Sequence, residues 1–185
     1  MSVNDATVAT IVRVTGDTLE HLDVTLTSVT ASSIATMGEA CPRLQVLKLA
    51  WCEHLSDASI SQAVSDAISH GAMSRPPMIP FRALHTLDMS HTLVGDIGVS
   101  GLLRLCGTQL VSLDVSYTSV AESGTLDVLA MGLGSGTERV SRLEHLGIAG
   151  LCVHAVSLLA CVHKWLADAG EVRPEAPSWG SRGRA

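Results

Sequence analysis

The chain has 185 residues, a formal net charge of −6 and only 12 Lys and Arg residues. Hydrophobic residues make up 46% of it and aromatic residues only 3%, so its core has to be built from aliphatic side chains. Surfaces that bind nucleic acid or acidic membranes need clustered basic residues to neutralise phosphates, and this sparse, net acidic sequence excludes both as partners.

The sequence has the features of an intracellular protein. Its N-terminus lacks a basic segment followed by an apolar one, and no run reaches the roughly eighteen apolar residues that span a bilayer. The cysteines number five and include no Cys-x-x-Cys pair, so we expect buried free thiols rather than disulfides. We therefore expect a cytoplasmic protein in a reducing compartment, with the nucleus as the alternative.

Residues 1–18 precede the first of several similar motifs and are predicted to form an N-terminal cap. Within them, the apolar segment Ala6–Val14 is compatible with either a capping helix or a capping strand. Terminal units of repeat stacks are usually atypical in this way.

A motif with the spacing Leu-x-x-Leu-x-Leu, with other aliphatic residues allowed at its last position, recurs along the chain. Its five copies begin at Leu19, Leu44, Leu84, Leu110 and Leu143. The third and fourth copies are twenty-six residues apart. Similar residues stand at matching positions in both copies, as far as Asp96 in the third and Glu122 in the fourth. A period of this size with this motif at its start is typical of leucine-rich repeats, each a short strand followed by a helix.

The helices after the motifs are predicted from a second recurring pattern. Apolar residues stand at matching offsets in the first, third and fifth units: Val29, Ile34, Met37, Cys41; Val94, Val99, Leu102, Cys106; and Val153, Leu158, Cys161, Trp165. Three sets of apolar residues at the same offsets are much harder to obtain by chance than a single match of leucines. The sequence thus predicts an α/β fold, a right-handed leucine-rich repeat solenoid with short parallel strands on its concave face and helices on its convex face.

The repeat domain is predicted to span residues 19–169, with about five repeats and two insertions. In the second unit we expect a helix from about Asp57 to Ser69, which prolines 76, 77 and 80 prevent from continuing. This places an insertion at 70–83, which we expect to be a surface excursion. A short Gly-rich insertion is expected at 132–139, and the tail at 170–185 is predicted to be disordered.

Outward-facing positions of the strands form two columns across neighbouring repeats, since successive side chains of a strand point to opposite faces. One column reads Asp23, Lys48, Asp88, Asp114 and Gly147, and the other reads Leu26, Trp51, His91, Tyr117 and Gly150. We predict that a protein partner binds this face, through residues Asp23, Lys48, Trp51, His85, Asp88, His91, Asp114 and Tyr117. A partner segment that carries Lys or Arg is one candidate. The alternative is that Trp51 and Tyr117 only cover neighbouring aliphatic side chains.

No catalytic or cofactor site is predicted. Cys152 and Cys161 lie nine residues apart and would face opposite sides of a helix, which argues against a zinc site. Gly132–Thr137 follows a predicted helix and lacks the Lys of a P-loop, so a flexible connection is the better interpretation. Neither a nucleophile elbow nor an acid–base cluster is recognisable. We therefore expect a non-enzymatic protein with no cofactor, no metal ion and no small-molecule substrate.

The segment Leu44–Cys52, followed by Leu55–Asp57, resembles the cysteine-containing class of leucine-rich repeats, which occurs C-terminal to F-boxes in ubiquitin-ligase substrate receptors. The resemblance extends over about 19–165 and implies substrate recognition in ubiquitin-ligase-type machinery. The sequence departs from that family in two respects, since no F-box-like module fits before the first repeat and the usual Cys or Asn is present only as Cys52. A structural subunit or assembly factor of a larger intracellular complex is the alternative function, and a degenerate fragment of a longer repeat protein is a third.

Overall fold

The computed structural model describes residues 3–73, 80–106, 109–121 and 143–151. Its first elements are α1 (Asp5–Thr15), β1 (His21–Asp23), α2 (Ala31–Ala40) and β2 (Val46–Lys48), with a 3-10 turn (Gly16–Thr18) between α1 and β1. They are followed by α3 (Asp57–Met73), β3 (Thr86–Asp88), α4 (Asp96–Cys106), β4 (Ser112–Asp114) and β5 (His145–Gly147). This alternation of strands and helices is the pattern that brings parallel strands side by side.

The strands form one parallel five-stranded sheet in the order β1-β2-β3-β4-β5. Its register stacks the middle leucine of every motif in one row, formed by Leu22, Leu47, Leu87, Leu113 and Leu146. A slip by one residue would move each leucine to the opposite face, so this row, buried at Leu47, Leu87 and Leu113 and partly buried at its two ends, fixes the pairing. The predicted α/β solenoid of leucine-rich repeats is confirmed.

The core lies between the sheet and the helices and is almost entirely aliphatic. The predicted helix positions of the first and third units are all buried, namely Val29, Ile34, Met37, Cys41, Val94, Val99, Leu102 and Cys106. Burial of each large aliphatic side chain stabilises the fold by roughly 1.5–3 kcal/mol before the loss of conformational entropy. The matching set of the fifth unit, from Val153 to Trp165, lies outside the described residues.

A threonine hydroxyl closes the turn after three of the described strands. Thr27, Thr92 and Thr118 each donate a hydrogen bond to the backbone carbonyl oxygen three residues earlier, with oxygen–oxygen distances of 2.6–2.7 Å. In the second repeat Cys52 stands at this position, and its Sγ donates to the Val24 carbonyl oxygen at 3.2 Å. The threonine hydroxyls therefore close turns within their own repeats, whereas the Cys52 thiol bonds the preceding repeat.

Replacing Thr92 with valine should lower the free energy of unfolding by about 1–2 kcal/mol. Thr92 is buried, and valine keeps its shape but removes the hydrogen bond to the Met89 carbonyl oxygen. Urea unfolding followed by circular dichroism measures the loss. Thr10→Val is the matched control, because the Thr10 hydroxyl also bonds a carbonyl oxygen but on the exposed side of α1. Equal losses for the two variants would contradict a specific role for the buried hydroxyl.

The N-terminal segment, for which the sequence allowed either a helix or a strand, forms the helix α1. The Asn4 side chain caps this helix by accepting a hydrogen bond from the Thr7 backbone N–H at 3.1 Å. Val8 and Val12, four residues apart on one face, are buried in the core. α1 packs against α2 and so supplies a helical layer ahead of β1.

The segment after Ser69 differs from the predicted surface insertion at 70–83. α3 continues to Met73, and Phe81 is only 2% exposed. Phe81 and Pro80 lie against Gly38 of α2, where an added Cβ would come within 3.1–3.2 Å of them. The end of this segment therefore belongs to the core, because Phe81 fills the space that Gly38 leaves. Residues 74–79, the expected insertion at 132–139 and the tail at 170–185 lie outside the described residues.

Candidate functional site

A column of residues with left-handed backbone geometry follows the strands, and we call it the corner column. Its members, with φ between +56° and +72°, are Leu26, Trp51, His91, Tyr117 and Gly150. The backbone N–H of each of the first four donates to a carbonyl oxygen of the next repeat at 2.7–3.0 Å, the acceptors being Ala50, Ser90, Ser116 and Ala149. Non-glycine residues rarely adopt this conformation, which carries a strain of about 1–3 kcal/mol. The hydrogen-bond ladder between repeats is what holds them in it.

The rings of the corner column stack on one another across the repeats. Trp51 and His91 have ring centroids 3.9 Å apart and planes inclined by 9°, and His91 and Tyr117 follow at 4.4 Å and 15°. The Tyr117 ring then covers Gly150, where an added Cβ would lie 2.6 Å from the ring Cε1. Trp51 is 48% exposed and Tyr117 56% exposed. The ring faces that stack on His91 are covered, so the exposure of Trp51 and Tyr117 comes from the rest of each ring.

Polar groups at the edge of this stack are available to a partner. Within the described residues, neither the Trp51 indole N–H nor the Tyr117 hydroxyl has a hydrogen-bond partner. Buried Trp and Tyr side chains usually find hydrogen-bond partners for these groups. Exposed ones can offer them to another protein, which is why both residue types are common at interfaces. The stack therefore presents apolar area together with two donors that have no partner in the described part of the chain.

The second column, which we call the carboxylate column, lies at the last residue of each strand. The sheet register aligns its members Asp23, Lys48, Asp88, Asp114 and Gly147. The Oδ1 atom of each aspartate accepts the backbone N–H two residues later at 2.8–3.0 Å, from Thr25, Ser90 and Ser116 respectively. These carboxylates thus shape the turns that lead to the corner column, a structural role that the sequence analysis missed.

The charges of the carboxylate column are unevenly compensated. The Lys48 Nζ lies 3.9 Å from Asp23 Oδ2, and both side chains are about half exposed. Hydrogen bonds from the Thr25 side chain and backbone lower the pKa of Asp23, and the Lys48 charge adds a smaller lowering. In contrast, the Oδ2 atoms of Asp88 and Asp114 have no partner within the described residues. The acidic character is therefore greatest at the third and fourth repeats.

The structure brings together most, but not all, of the predicted contact residues. Trp51, His91 and Tyr117 form the ring stack, and the carboxylate column runs beside it. His85 precedes β3, at the opposite end of that strand, and is partly buried. Its ring does not join the stacking contacts of the described residues, while its carbonyl oxygen accepts the backbone N–H groups of Val111 and Ser112.

Carboxylates at the N-termini of α1, α3 and α4 each tie one unit to the next. Asp5, Asp57 and Asp96 are each the first residue of a helix. They accept hydrogen bonds from backbone N–H groups of the following repeat at 2.6–2.8 Å, those of Thr30, Gly95, Gly98 and Ala121. Burial opposes ionisation of Asp5, but hydrogen bonds from Ser33 and Thr30 outweigh it and lower its pKa. An aspartate recurring at the first helical position was the sequence signal for these contacts.

The described cysteines have no features of a reactive or metal-binding site. Cys41, Cys52 and Cys106 are free and buried. Burial raises the pKa of Cys41 to about 11 and that of Cys106 to about 12, so neither forms a thiolate readily. Residues 3–73, 80–106, 109–121 and 143–151 contain no cluster of His, Cys, Asp and Glu that could hold a metal ion. Cys152, Cys161 and Gly132–Thr137 fall outside these ranges.

In the part of the chain that the structure describes, no helix combines the length and the apolar character needed to cross a membrane.

No protein-family model matches the sequence, and no curated protein matches it. Among solved structures, the chain is similar to the tropomodulin C-terminal domain of Caenorhabditis elegans, with 14% identity and a TM-score of 0.59 over 91% of this chain and 95% of that one. It is also similar to leiomodin-1 actin-binding site 2, with 10% identity and a TM-score of 0.59 over 87% of this chain and 86% of that one. At these identities the similarity shows a shared fold.

The resemblance to the cysteine-containing repeats of F-box proteins is wrong. The similar structures are tropomodulin and leiomodin-1 domains instead. Only Cys52 occupies the characteristic position in the described units, where Thr27, Thr92 and Thr118 make the turn hydrogen bond. The single segment Leu44–Cys52 fitted the pattern because Cys52 stands where the other turns named here carry threonine. The implied role in ubiquitin-ligase substrate recognition is withdrawn with the resemblance.

Proposed function

We propose that the chain is a non-catalytic protein-binding module whose strand face contacts a protein partner through the corner and carboxylate columns. The observation that carries this proposal is the half-exposed stack of Trp51, His91 and Tyr117. The chain contains three Trp, one Tyr and one Phe, so two of its few aromatic side chains lie in this one exposed column. Trp and Tyr are the residue types that most often dominate binding energy at interfaces.

The geometry of the stack makes it a suitable contact surface. Each ring is fixed by its stacked neighbour, and the backbone beneath it is fixed by hydrogen bonds to the next repeat. Side chains that are already ordered lose little conformational entropy when a partner binds, so more of the contact energy appears as affinity. We expect binding without rearrangement of the sheet.

Actin is the first partner to test, because one of the similar structures is described as an actin-binding site. The low identity makes this a starting point for an experiment and gives no residue correspondence. We also propose that the protein is cytoplasmic, is not an enzyme and uses no cofactor. Burial of the described thiols is compatible with a reducing compartment.

The double variant Trp51→Ala/Tyr117→Ala should weaken partner binding at least tenfold, since each ring is an exposed anchor of the proposed contact. Co-sedimentation with filamentous actin and titration of monomeric actin measure this for the first candidate. Where actin shows no binding, wild-type and variant baits are compared by affinity purification and mass spectrometry. Val14→Ala is the control, because Val14 is 77% exposed on α1, away from both columns.

The proposal fails if every protein retained by the wild-type bait is retained equally by the double variant. It also fails if Val14→Ala weakens binding as much as the loss of both rings. All three baits are first shown to be folded by circular dichroism, so that lost binding reflects the surface and not unfolding.

A role as a structural subunit of a larger complex is the second candidate. Exposed aliphatic residues outside the columns favour it, since Leu93 is 61% exposed and Ile97, in the first turn of α4, is 65% exposed. In that case Leu93→Ser/Ile97→Ser should release associated proteins while Trp51→Ala/Tyr117→Ala leaves them bound. The same affinity purification separates the two functions.

A further inference from the structure

We infer that the partner segment is basic and that one of its arginine side chains lies over Asp88 and Asp114, beside the stack of Trp51, His91 and Tyr117. This inference rests on the proposed function and adds to it the chemistry of the partner. It follows from the distribution of charge on the strand face, from the register of two carboxylates and from the position of the rings.

Carboxylates dominate the outward positions of the strand face. The charged residues at and immediately before the strands are Glu20, Asp23, Lys48, Asp88, Asp114 and Glu144. Lys48 stands between Asp23 and Asp88 in the register, and its Nζ lies 3.9 Å from Asp23 Oδ2 while forming no ion pair with Asp88 in the described part of the chain. From the third repeat onward, the outward positions of the described strands carry carboxylates and no Lys or Arg. This part of the face is complementary to a cationic segment.

Asp88 and Asp114 lie directly opposite each other in the register of β3 and β4. Neighbouring strands are about 4.8 Å apart, so like charges on adjoining strands repel, and the Asp114 carboxylate lies over Gly147 of β5. Each carboxylate uses Oδ1 for its turn, through the Ser90 and Ser116 backbone N–H groups at 2.9 and 2.8 Å. Their Oδ2 atoms are without partners in the described part of the chain, and a bound cation would relieve the repulsion between them.

A guanidinium group suits this pair better than an ammonium group does. It presents five N–H donors in a planar fork, which can serve oxygens of two neighbouring carboxylates at once. An ammonium group acts as a more strongly hydrated point charge and gains less from such an arrangement. The carboxylate pair therefore favours Arg over Lys.

The rings lie where they can cover the aliphatic part of such an arginine. His91 and Tyr117 each follow their carboxylate by three residues, so the two columns run side by side along the repeats. The exposed edges of the stack can contact the methylene groups of the arginine stem, which normally pack on apolar surface while the charged end stays polar. One side chain of the partner thus contacts both columns.

Selection from a random twelve-residue peptide library against the full chain, with Trp51→Ala/Tyr117→Ala protein as competitor, tests the inference. The selected peptides should be enriched in Arg. Synthetic copies are then titrated against wild type and against Asp88→Asn/Asp114→Asn, in which each asparagine keeps the Oδ1 acceptor of its turn. The double variant should bind at least tenfold more weakly. Asp17→Asn/Asp66→Asn, which removes the same charge from exposed sites away from both columns, should bind within twofold of wild type.

A second measurement changes the peptide instead of the protein. Replacing its arginine with citrulline, a neutral analogue of the same shape, should weaken binding to wild type tenfold and abolish the difference between wild type and Asp88→Asn/Asp114→Asn. Peptides that need the rings but carry no basic residue, or that bind Asp88→Asn/Asp114→Asn normally, overturn the inference while leaving the proposed function intact. A library that yields no ring-dependent peptide overturns both.

Discussion

Replacing Asp57 with alanine is expected to lower the free energy of unfolding by about 2–5 kcal/mol. One carboxylate oxygen of Asp57 accepts hydrogen bonds from the backbone N–H groups of Gly95 at 2.6 Å and Gly98 at 2.8 Å. Both glycines are buried, so alanine at position 57 leaves two N–H groups without water and without a partner. An unsatisfied buried donor is among the few causes of a large loss of stability from a single substitution.

The reason for this dependence lies in how α4 begins. The first N–H groups of a helix have no partner within the helix and usually bond a side chain of the preceding residue. That residue is Gly95, which has no side chain, so Asp57 of the previous repeat caps α4 instead. A carboxylate also interacts favourably with the positive end of the helix dipole. Asp57 therefore stabilises both the helix and the packing of α3 on α4.

Urea unfolding of three variants separates these contributions. Asp57→Asn keeps an oxygen acceptor but loses the charge, so its loss should be smaller than that of Asp57→Ala. Asp66→Ala is the control, because Asp66 is on the exposed side of the same helix and its hydrogen-bond donor among the described residues is Gln62. We expect a change within about 0.5 kcal/mol for this control. If Asp57→Ala were no more destabilising than Asp66→Ala, the capping role assigned here would be incorrect.

The strands and the core could be predicted from the sequence because each repeat stacks on its equivalent. Leu47 lies between Leu22 and Leu87, so equal spacing in the sequence becomes equal position in space. The same logic predicted the two columns, since outward positions stack as inward ones do. The turn function of the aspartates was missed, although Asp88 and Asp114 each stand two residues before a Ser whose backbone N–H they accept.

Contacts between non-equivalent positions could not be predicted in this way. Asp57 can reach the next helix because Gly95 and Gly98 have no side chains there. A Cβ added at either glycine would lie 2.7–2.8 Å from a carboxylate oxygen of Asp57. The left-handed backbone of Trp51 was equally hidden, because Trp shows no preference for that conformation and tertiary hydrogen bonds impose it. Phe81 was assigned to a surface insertion because the nearby prolines mark a loop and say nothing of burial.

Replacing Leu113 with alanine should lower the free energy of unfolding by about 2–5 kcal/mol. Leu113 is 1% exposed and lies in the leucine row between Leu87 and Leu146. The cavity would lie beneath two adjoining strand pairs, so several neighbours would have to move together to close it. Since each repeat depends on the interface with the next, the loss should appear as one shift of the whole unfolding transition.

The same unfolding measurement on Trp51→Ala and Tyr117→Ala decides what the exposed rings are for. Each substitution removes a stacking contact with His91, a contribution of about 0.5–1.5 kcal/mol, from side chains that are already half exposed. We therefore expect each ring variant to lose clearly less stability than Leu113→Ala while losing partner binding. Ring variants as unstable as Leu113→Ala would mean that the stack is part of the packing of the solenoid, and the surface we propose for the partner would have no separate purpose.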